Sequence, residues 1–459
     1  MIGFANNKKS DYLDKHTKDE YNSEGDNKRG FFAGKMSIRD GSYGTNTTTE
    51  SLHKMMGDDE KNQGIELTPA PPKDWTILEN RATDEERKFF DKIWRDAIFN
   101  TVDAIENNTY YRKTVNGKTT YVRAEGIKVA IYDHHTARSV GDVPDCHKHS
   151  HIVISPLCMG KDGKLYKHTL KELPTEKGGD ATKLQETLHY FDQVFQSELA
   201  KGLQNKFNLQ IENDGKDNFK VNGLTDEIRK AFSQRSEDIN AAAGENASSY
   251  AKQKIAITRR NKKHSYDLNE LRGIWQEKMS SLGLEKISDL PKGQIEQSRD
   301  FKEVFKDVRF ISEKLLKIYA LSESKYSTKS SEQILKEFKE SGHLKEFRKG
   351  NYINLSHKGG KEFERNFAKG SLNKMAGGVG KSYRQKSNKT SEVKLKNSEE
   401  MLQELEREHQ NKIVELTSSK RNSLDKLSQE TASYEEKKNN LIQQIAAEKE
   451  KEIDMDFDF

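Results

Sequence analysis

The chain has 459 residues, with 79 Lys+Arg against 74 Asp+Glu for a formal charge of +5, and 33% charged residues against 32% hydrophobic ones. A mean hydropathy of −0.99 and the lack of any apolar run approaching ~18 residues exclude a transmembrane helix. Two cysteines exclude a disulfide scaffold and fit a reducing compartment. The opening MIGFANNKKSDYLDKH carries no apolar stretch of the kind a secretory signal needs. A charge of +5 is too small to establish a nucleic-acid partner, so any such partner must be argued from local features. The charged fraction exceeds the usual quarter or so, so part of the chain is expected to be solvated helix or linker.

Residues 1–60 are polar and punctuated by tyrosine and glycine, residues 61–285 alternate strand-like and helix-like stretches, and residues 286–370 are mixed and basic. In the second stretch Thr83 followed by Glu86 is a capping-box signature. Phe89, Phe90, Ile93, Trp94, Ala97, Ile98, Val102 and Ile105 then recur at helical spacing. In YYRKTVNGKTTYV, Asn116-Gly117 between strand-like runs predicts a hairpin. IKVAIYD (127–133) and HSHIVISPL (149–157) read as strands, and 183–206 as a second long helix with Leu184, Leu188, Phe191, Val194, Phe195 and Leu199 on one face. Paired strands with helices between them predict an α+β domain, an antiparallel sheet backed by helices on one face.

Further along, a helix around 311–320 precedes SSEQILKEFKESG, with Ser330 or Ser331 as N-cap and Gly342 as stop. HLKEF and YINLS flank a Lys349-Gly350-Asn351 turn. Residues 290–370 therefore read either as a small winged-helix-like unit or as a spacer domain. After a linker at 371–394, residues 395–453 repeat every eleven: Leu402, Ile413 and Leu424, and again Leu405, Leu416 and Leu427. That period favours a straight or slightly right-handed coil; the segment is either a lone charged helix or one that buries its stripe in a hairpin or by self-association. AGGVGKSY (376–383) imitates the end of a P-loop, but Met375 occupies the place of the first glycine and no apolar strand precedes it, so no nucleotide or other organic cofactor site is expected.

The chemistry concentrates in YDHHTARSVGDVPDCHKHSHIVI. His149 and His151 are two apart on a strand and share a face. His134 ends the preceding strand, so it reaches the same point if the two strands pair. Three converging imidazoles make a metal site with open positions; the alternative is a His-rich loop that binds nothing specific. His135 and His147 are spare ligands by spacing. Cys146 beside His147 suggests structural zinc, but no second cysteine stands at CxxC spacing.

Over roughly residues 8–285 the motifs resemble, in order, the MobF conjugative relaxases of the TrwC/TraI type, within the HUH endonuclease group. His134-His135-Thr136-Ala137-Arg138 and His149-Ser150-His151 match the family's metal motif. GIELTPAPPKDWTIL (64–78) looks like its "DLTFSAPKS" strand, and GFFAGKM (30–36) like its aromatic-x-GK turn. AFSQRSEDI (231–239), TRRNKKHS (258–265) and LNELRGIWQEKMSSLGL (268–284) look like the helical fingers, placed at about 225–285, that close over bound DNA.

The resemblance implies a relaxase domain over 1–285 that cuts one strand of single-stranded DNA at a transfer origin. A tyrosine attacks the phosphate and stays joined to the 5′ end, and the three histidines hold a divalent ion, Mg²⁺ or Mn²⁺. Tyr12 takes the nucleophile's place. Tyr21 is either a second nucleophile or an ordinary loop tyrosine; the family commonly carries a tyrosine pair at each place, and here each is single. Glu66 stands where the family has aspartate and would orient a ligating histidine or take the tyrosine proton. Lys73 and Arg138 are expected phosphate contacts, Arg138 equally a structural ion pair. Arg259, Arg260, Lys262 and Lys263 suit a single-strand backbone, with plain solvation as the alternative.

Large family members continue into a helicase, whereas here the winged-helix-like unit gives way to coil. The acidic-aromatic tail 454–459 reads either as disorder or as a docking segment for a type IV secretion coupling protein or a separate helicase. The expected setting is the bacterial cytoplasm without membrane insertion, with export alongside DNA into a recipient cell as the family's logic implies. Two other functions fit the same residues: a cleavage-deficient DNA-binding adaptor in transfer or replication, and a rolling-circle replication initiator. Retention of the three histidines with Tyr12 argues for cleavage, since a pure binder has no use for the set.

Overall fold

The computed structural model describes residues 2–8, 30–57, 64–137, 143–168, 174–175, 178–179, 181–215, 218–244, 252, 255, 267–293, 299–348, 350–357 and 360–361. By its internal contacts the chain divides into two units, Met1–Leu372 and Asn373–Phe459. The second unit lies outside the described residues, and with it the expected coiled helix, the P-loop-like segment and the tail.

In chain order, β1 (Gly3–Lys8) and β2 (Phe31–Ala33) precede α1 (Lys35–Arg39). Gly34 makes the turn between β2 and α1 at φ +89°, where a Cβ would collide with the Ile127 carbonyl; only glycine fits this aromatic-x-GK corner. α2 (Thr49–Met56) starts on a capping box between Thr48 and Ser51. β3 (Gly64–Thr68) is shorter than the stretch expected to be strand-like. Pro69, Pro71 and Pro72 supply no backbone N–H to a ladder, and α3 (Lys73–Arg81) begins directly after Pro72.

α4 (Asp84–Asn107) opens on the expected Thr83–Glu86 box, with both reciprocal hydrogen bonds made. Its Phe90, Trp94, Ala97, Ile98, Val102 and Ile105 are buried, and Phe89 lies exposed at the margin of that face. β4 (Tyr110–Val115) and β5 (Lys118–Arg123) pair residue for residue around Asn116 and Gly117. Both turn residues have positive φ, the geometry a two-residue hairpin of this twist requires. β6 (Gly126–Thr136), β7 (Cys146–Met159) and β8 (Leu165–Lys167) follow, then the short pair β9 (Pro174–Thr175) and β10 (Gly178–Gly179), α5 (Ala181–Phe207), and a small hairpin of β11 (Ile211–Asn213) and β12 (Phe219–Val221). α6 (Asp226–Ala231), α7 (Gln234–Ala243) and α8 (Leu268–Ser281) close this part.

The main sheet runs β1-β3-β7-β6-β2 with β8 on β7, antiparallel throughout. One face carries Ile65, Leu67, Ile127, Val129, Ile131, Ile152 and Ile154 against α4 and α5. The helices are not confined to that face: α2 puts Leu52, Met55 and Met56 against Phe32, Ala130, Tyr132 and Val153 on the other. Fully burying a residue such as Ile or Phe contributes about 1.5–3 kcal/mol, so this alternation holds the register. A slip of one residue on β7 would turn His149 and His151 into the core.

A second, smaller core lies further along, where α9 (Phe301–Val304), β13 (Phe310–Ser312), α10 (Glu313–Ser324), α11 (Ser331–Glu340), β14 (Leu344–Arg348) and β15 (Asn351–Asn354) enclose Phe301, Phe305, Ile311, Leu316, Ile334 and Phe338. Its sheet is ordered β13-β15-β14. Residues 310–312, at the head of the expected 311–320 helix, are strand, and Ser330 rather than Ser331 is the N-cap of α11. This group is tied to α5 by Ser312 Oγ to Glu186 Oε1 (2.8 Å), Lys314 Nζ to Thr187 Oγ1 (2.8 Å) and the buried Lys325 Nζ to Gln193 Oε1 (2.9 Å). Among the described residues no helix is long and apolar enough to cross a membrane.

Candidate functional site

The antiparallel register sets His134 of β6 directly opposite His149 of β7, and Tyr132 opposite His151. Because strand residues two apart share a face, the three imidazoles meet on the sheet face that α2 partly covers. Ring centroids lie 5.0 Å (His134–His149), 4.8 Å (His134–His151) and 5.2 Å (His149–His151) apart. One ligating atom from each lies within 4.8 Å of the others.

The hydrogen bonds of the rings select the ligating form. His151 Nδ1 lies 2.8 Å from Glu66 Oε1, and His149 Nδ1 lies 2.9 Å from the His147 carbonyl. A carboxylate and a carbonyl only accept, so Nδ1 holds the proton in both rings and the lone pair sits on Nε2. Burial pushes His149 down to about 4, with the neighbouring His151 imidazole acting in the same direction, and burial likewise holds His147 well below the usual imidazole range. His149 is therefore neutral at physiological pH, the form that binds metal. Three imidazole nitrogens on one face, with the second nitrogen already engaged at His149 and His151, fit a divalent ion with positions left open for substrate oxygen.

The opposite face of the same two strands is braced. Ser150 Oγ donates to Asp133 Oδ1, which also accepts from Trp94 Nε1 at 3.2 Å, so the strands are pinned together between the ligands. Lys148 Nζ lies 2.7 Å from Glu79 Oε1, with both side chains almost fully buried and the ammonium over the Trp94 ring. Removing either partner would strand the other charge, typically a loss of 3–5 kcal/mol. His135 lies on this side, its Nδ1 4.0 Å from Glu79, away from the three histidines. Sequence reasoning missed the Lys148–Glu79 pair, although the alternation in KHSH turns Lys148 away from the histidine face.

Pro144 and Asp145, which lead into β7, and Cys146 at its start are held by the helices. Asp145 accepts from Gln234 N (2.7 Å) and Nε2 (2.9 Å) at the start of α7, and Trp275 Nε1 of α8 donates to the Pro144 carbonyl (2.9 Å). Lys73 Nζ donates to the Cys146 carbonyl (3.1 Å), so one of its protons braces the histidine strand. Cys146 and Cys158 are buried and outside any disulfide, and burial pushes both thiols up to about 12, far from the thiolate that zinc would need. Tyr12, Tyr21, Arg138, Arg259, Arg260, Lys262 and Lys263 lie outside the described residues. Tyr12 follows the end of β1 by four positions, and β1 pairs Ala5 with Glu66.

The β4–β5 ribbon is a second feature to which sequence reasoning assigned no role. Residues 110–123 contain Arg112, Lys113, Lys118 and Arg123 and no acidic residue. Tyr111 is buried, and Tyr110, Arg112 and Thr114 alternate away from it, opposite Arg123, Tyr121 and Thr119. The Arg112 guanidinium lies 5.8 Å over the Tyr121 ring. The signal was the absence of acid across a predicted hairpin.

Comparison with known proteins agrees with this geometry. The family model described as TrwC relaxase matches residues 6–282, more than half of the chain. Among solved structures, the conjugative relaxase TrwC in complex with oriT DNA is similar in its metal-bound form (21% identity, TM-score 0.51) and in its copper-bound form (22%, 0.52). TrwC complexed with a 27-mer DNA comprising the recognition hairpin and the cleavage site is similar at 21% identity and TM-score 0.50. Each of these matches covers 62% of this chain and 99% of the other, and at such identities they establish a shared fold. No curated protein matches. With the family model spanning the sheet, the three histidines and the helices that brace them, the chain belongs to the TrwC relaxase family: it is a conjugative relaxase of the MobF type, a metal-dependent enzyme that nicks DNA at a transfer origin.

Proposed function

We propose that this chain cuts one strand of its transfer-origin DNA with Tyr12 as nucleophile and His134, His149 and His151 as the metal ligands. The observation that carries this reading is the meeting of those three rings, with Nδ1 of His149 and His151 already spent on fixed acceptors. A divalent ion held by His134, His149 and His151 would polarise the phosphate oxygens and offset the charge that builds as the phosphorus is attacked. Three imidazoles favour Mn²⁺ over Mg²⁺, which prefers oxygen ligands.

The Tyr12 hydroxyl oxygen forms the new bond to phosphorus, its proton passes to a base, and the bond to the 3′ oxygen breaks as that oxygen takes up a proton from water. The products are a 5′-phosphotyrosyl adduct and a free 3′ hydroxyl. One phosphodiester replaces another, so the step is close to energetically balanced and can run backwards to join a strand. Glu66, whose Oε1 lies 2.8 Å from His151 Nδ1, acts by fixing that ring or by taking the tyrosine proton. Tyr21 serves as the acceptor of a second strand.

The solved relative's DNA combines a recognition hairpin with a cleavage site, and the β4–β5 ribbon suits the duplex part. A two-stranded ribbon fits the major groove, and Arg112 and Arg123 supply positive charge to phosphates. Arg138, Arg259, Arg260, Lys262 and Lys263 would follow the single strand. The action belongs in the bacterial cytoplasm, with a coupling protein of a secretion channel and a separate helicase as further partners, and with self-association through residues 395–453.

The test is cleavage of an end-labelled single strand from the chain's own transfer locus. Wild type should cut with Mn²⁺ and stop with chelator, and His149→Ala should lose metal-dependent cutting while still binding the strand. Cutting that survives both chelator and His149→Ala would sink the metal assignment.

A further inference from the structure

The β6–β7 ladder pairs His134 with His149 and then Thr136 with Cys146, so two steps on β6 face three on β7. The extra residue is a β-bulge at His147 and Lys148, where regular pairing with β6 lapses. β3 pairs with β7 further along, over residues 152–154. Yet the His147 carbonyl, at the bulge, is the acceptor that Nδ1 of His149 meets at 2.9 Å. The residues on either side of His147 are both fastened to α3. Lys73 Nζ, at the head of that helix, donates to the Cys146 carbonyl (3.1 Å), and Lys148 Nζ donates to Glu79 Oε1 near its end (2.7 Å). The Lys148 and Glu79 side chains are 5% and 1% exposed, and the only other carboxylate that ion-pairs with Lys148 among the described residues, Asp91 at 3.7 Å, is 57% exposed.

We infer that α3 is a splint for the metal site: Lys73 and the Lys148–Glu79 pair are positioning residues that hold the His147 carbonyl against Nδ1 of His149, and so set the direction of the His149 Nε2 lone pair. The inference rests on the reading of His134, His149 and His151 as metal ligands. Stability alone does not account for the pair. Two buried charges cost about as much to desolvate as their attraction returns, and an apolar pair of similar volume often serves the fold as well or better. What the ion pair supplies, and an apolar pair does not, is a contact of fixed length and direction. That is what a bulge lacks, because its backbone is no longer held at each residue by the ladder. A metal ion in turn accepts only about 0.2 Å of error in each ligand distance. A shift of the His147 carbonyl that frees the His149 ring to turn is therefore felt in metal affinity, even where the fold absorbs it.

The test is calorimetric titration of Mn²⁺ into the full-length apoprotein without DNA, read beside the melting temperature. Lys148→Met combined with Glu79→Leu removes both buried charges and leaves Asp91 in water, so this double variant should melt close to wild type. It should nevertheless bind Mn²⁺ about tenfold or more weakly, as when a group that orients a ligand is lost. Glu79→Gln keeps an acceptor for Lys148 Nζ, so it should melt lower yet hold Mn²⁺ within about threefold of wild type. A purely structural pair would make affinity follow melting temperature in both variants. That result, or wild-type affinity in the double variant, overturns the inference. Should the double variant fail to fold, Lys73→Met decides, since it breaks the other tether without leaving Glu79 unpaired. It should weaken Mn²⁺ binding about threefold or more, and unchanged affinity rejects the splint. His149→Ala separates this inference from the metal reading beneath it. That variant should lose at least about a hundredfold in Mn²⁺ affinity, and wild-type affinity there would reject the histidine site itself.

Discussion

At the residue scale Glu66 is the side chain that fixes a ring of the histidine site. Its carboxylate holds the Nδ1 proton of His151 at 2.8 Å and is itself buried, so its effect should show in metal affinity before anything else. Partners of this kind are typically worth 10–100-fold in metal binding. Glu66→Ala should lower Mn²⁺ affinity by about that range, and Glu66→Gln by less, because the amide carbonyl still accepts from Nδ1. Calorimetric titration of the apoprotein reads this directly; an unchanged affinity in Glu66→Ala would remove Glu66 from the site. His149, His151 and Glu66 were legible in the sequence because strand alternation and family order place them without further information. Lys148 and Glu79 were not. Each looks like an ordinary surface charge until α3 is packed on the sheet and both are enclosed.

At the element scale Glu106 joins three pieces of chain. Near the end of α4, its Oε1 accepts the Lys35 N–H at the head of α1 (2.8 Å) and the Ile127 N–H of β6 (3.0 Å). Burial raises its carboxyl to about 7 despite these bonds and the charge of Lys35. A carboxyl whose folded pKa is raised stabilises the fold fully below its unfolded value, and that contribution is lost as pH rises through the folded value. Glu106→Gln removes this dependence, so its melting temperature relative to wild type should be higher at pH 8 than at pH 5. Glu106→Ala leaves two buried N–H groups without their acceptor, at roughly 1–3 kcal/mol each, and should melt lower at both. Equal shifts of the Gln variant at the two pH values would contradict the burial argument. The capping box of α4 and the Asn116-Gly117 hairpin were readable because each depends on a few adjacent residues. The end of β3 was equally written in Pro69, Pro71 and Pro72, yet the resemblance to a longer strand outweighed it. The strand at 310–312 was hidden, since three residues carry too little periodicity to separate them from the helix that follows.

At the scale of the whole molecule, the α+β class followed from the alternation of β-branched runs with long amphipathic helices, whereas the pairing of β6 with β7 stood only as a condition until the register supplied it. The order β1-β3-β7-β6-β2 did not follow from that alternation, because it depends on contacts between residues as distant as Phe31 and Ile131. Nor did the attachment of the smaller core to α5, where a lysine, Lys325, is fully buried against Gln193. That arrangement leaves the histidine strand gripped from both sides, by α3 and α4 through Lys148, Asp133 and their partners, and by α7 and α8 through Asp145 and Pro144. A site held this way is suited to a reaction in which one tyrosine must meet one phosphate. The most direct test is peptide mapping of the covalent adduct formed on single-stranded transfer-origin DNA with Mn²⁺, in wild type, Tyr12→Phe and Tyr21→Phe. A nucleotide-bearing Tyr12 peptide is expected in wild type and Tyr21→Phe, none in Tyr12→Phe, and none in chelator. An adduct on another residue, or no adduct on DNA that the chain demonstrably binds, would contradict the mechanism.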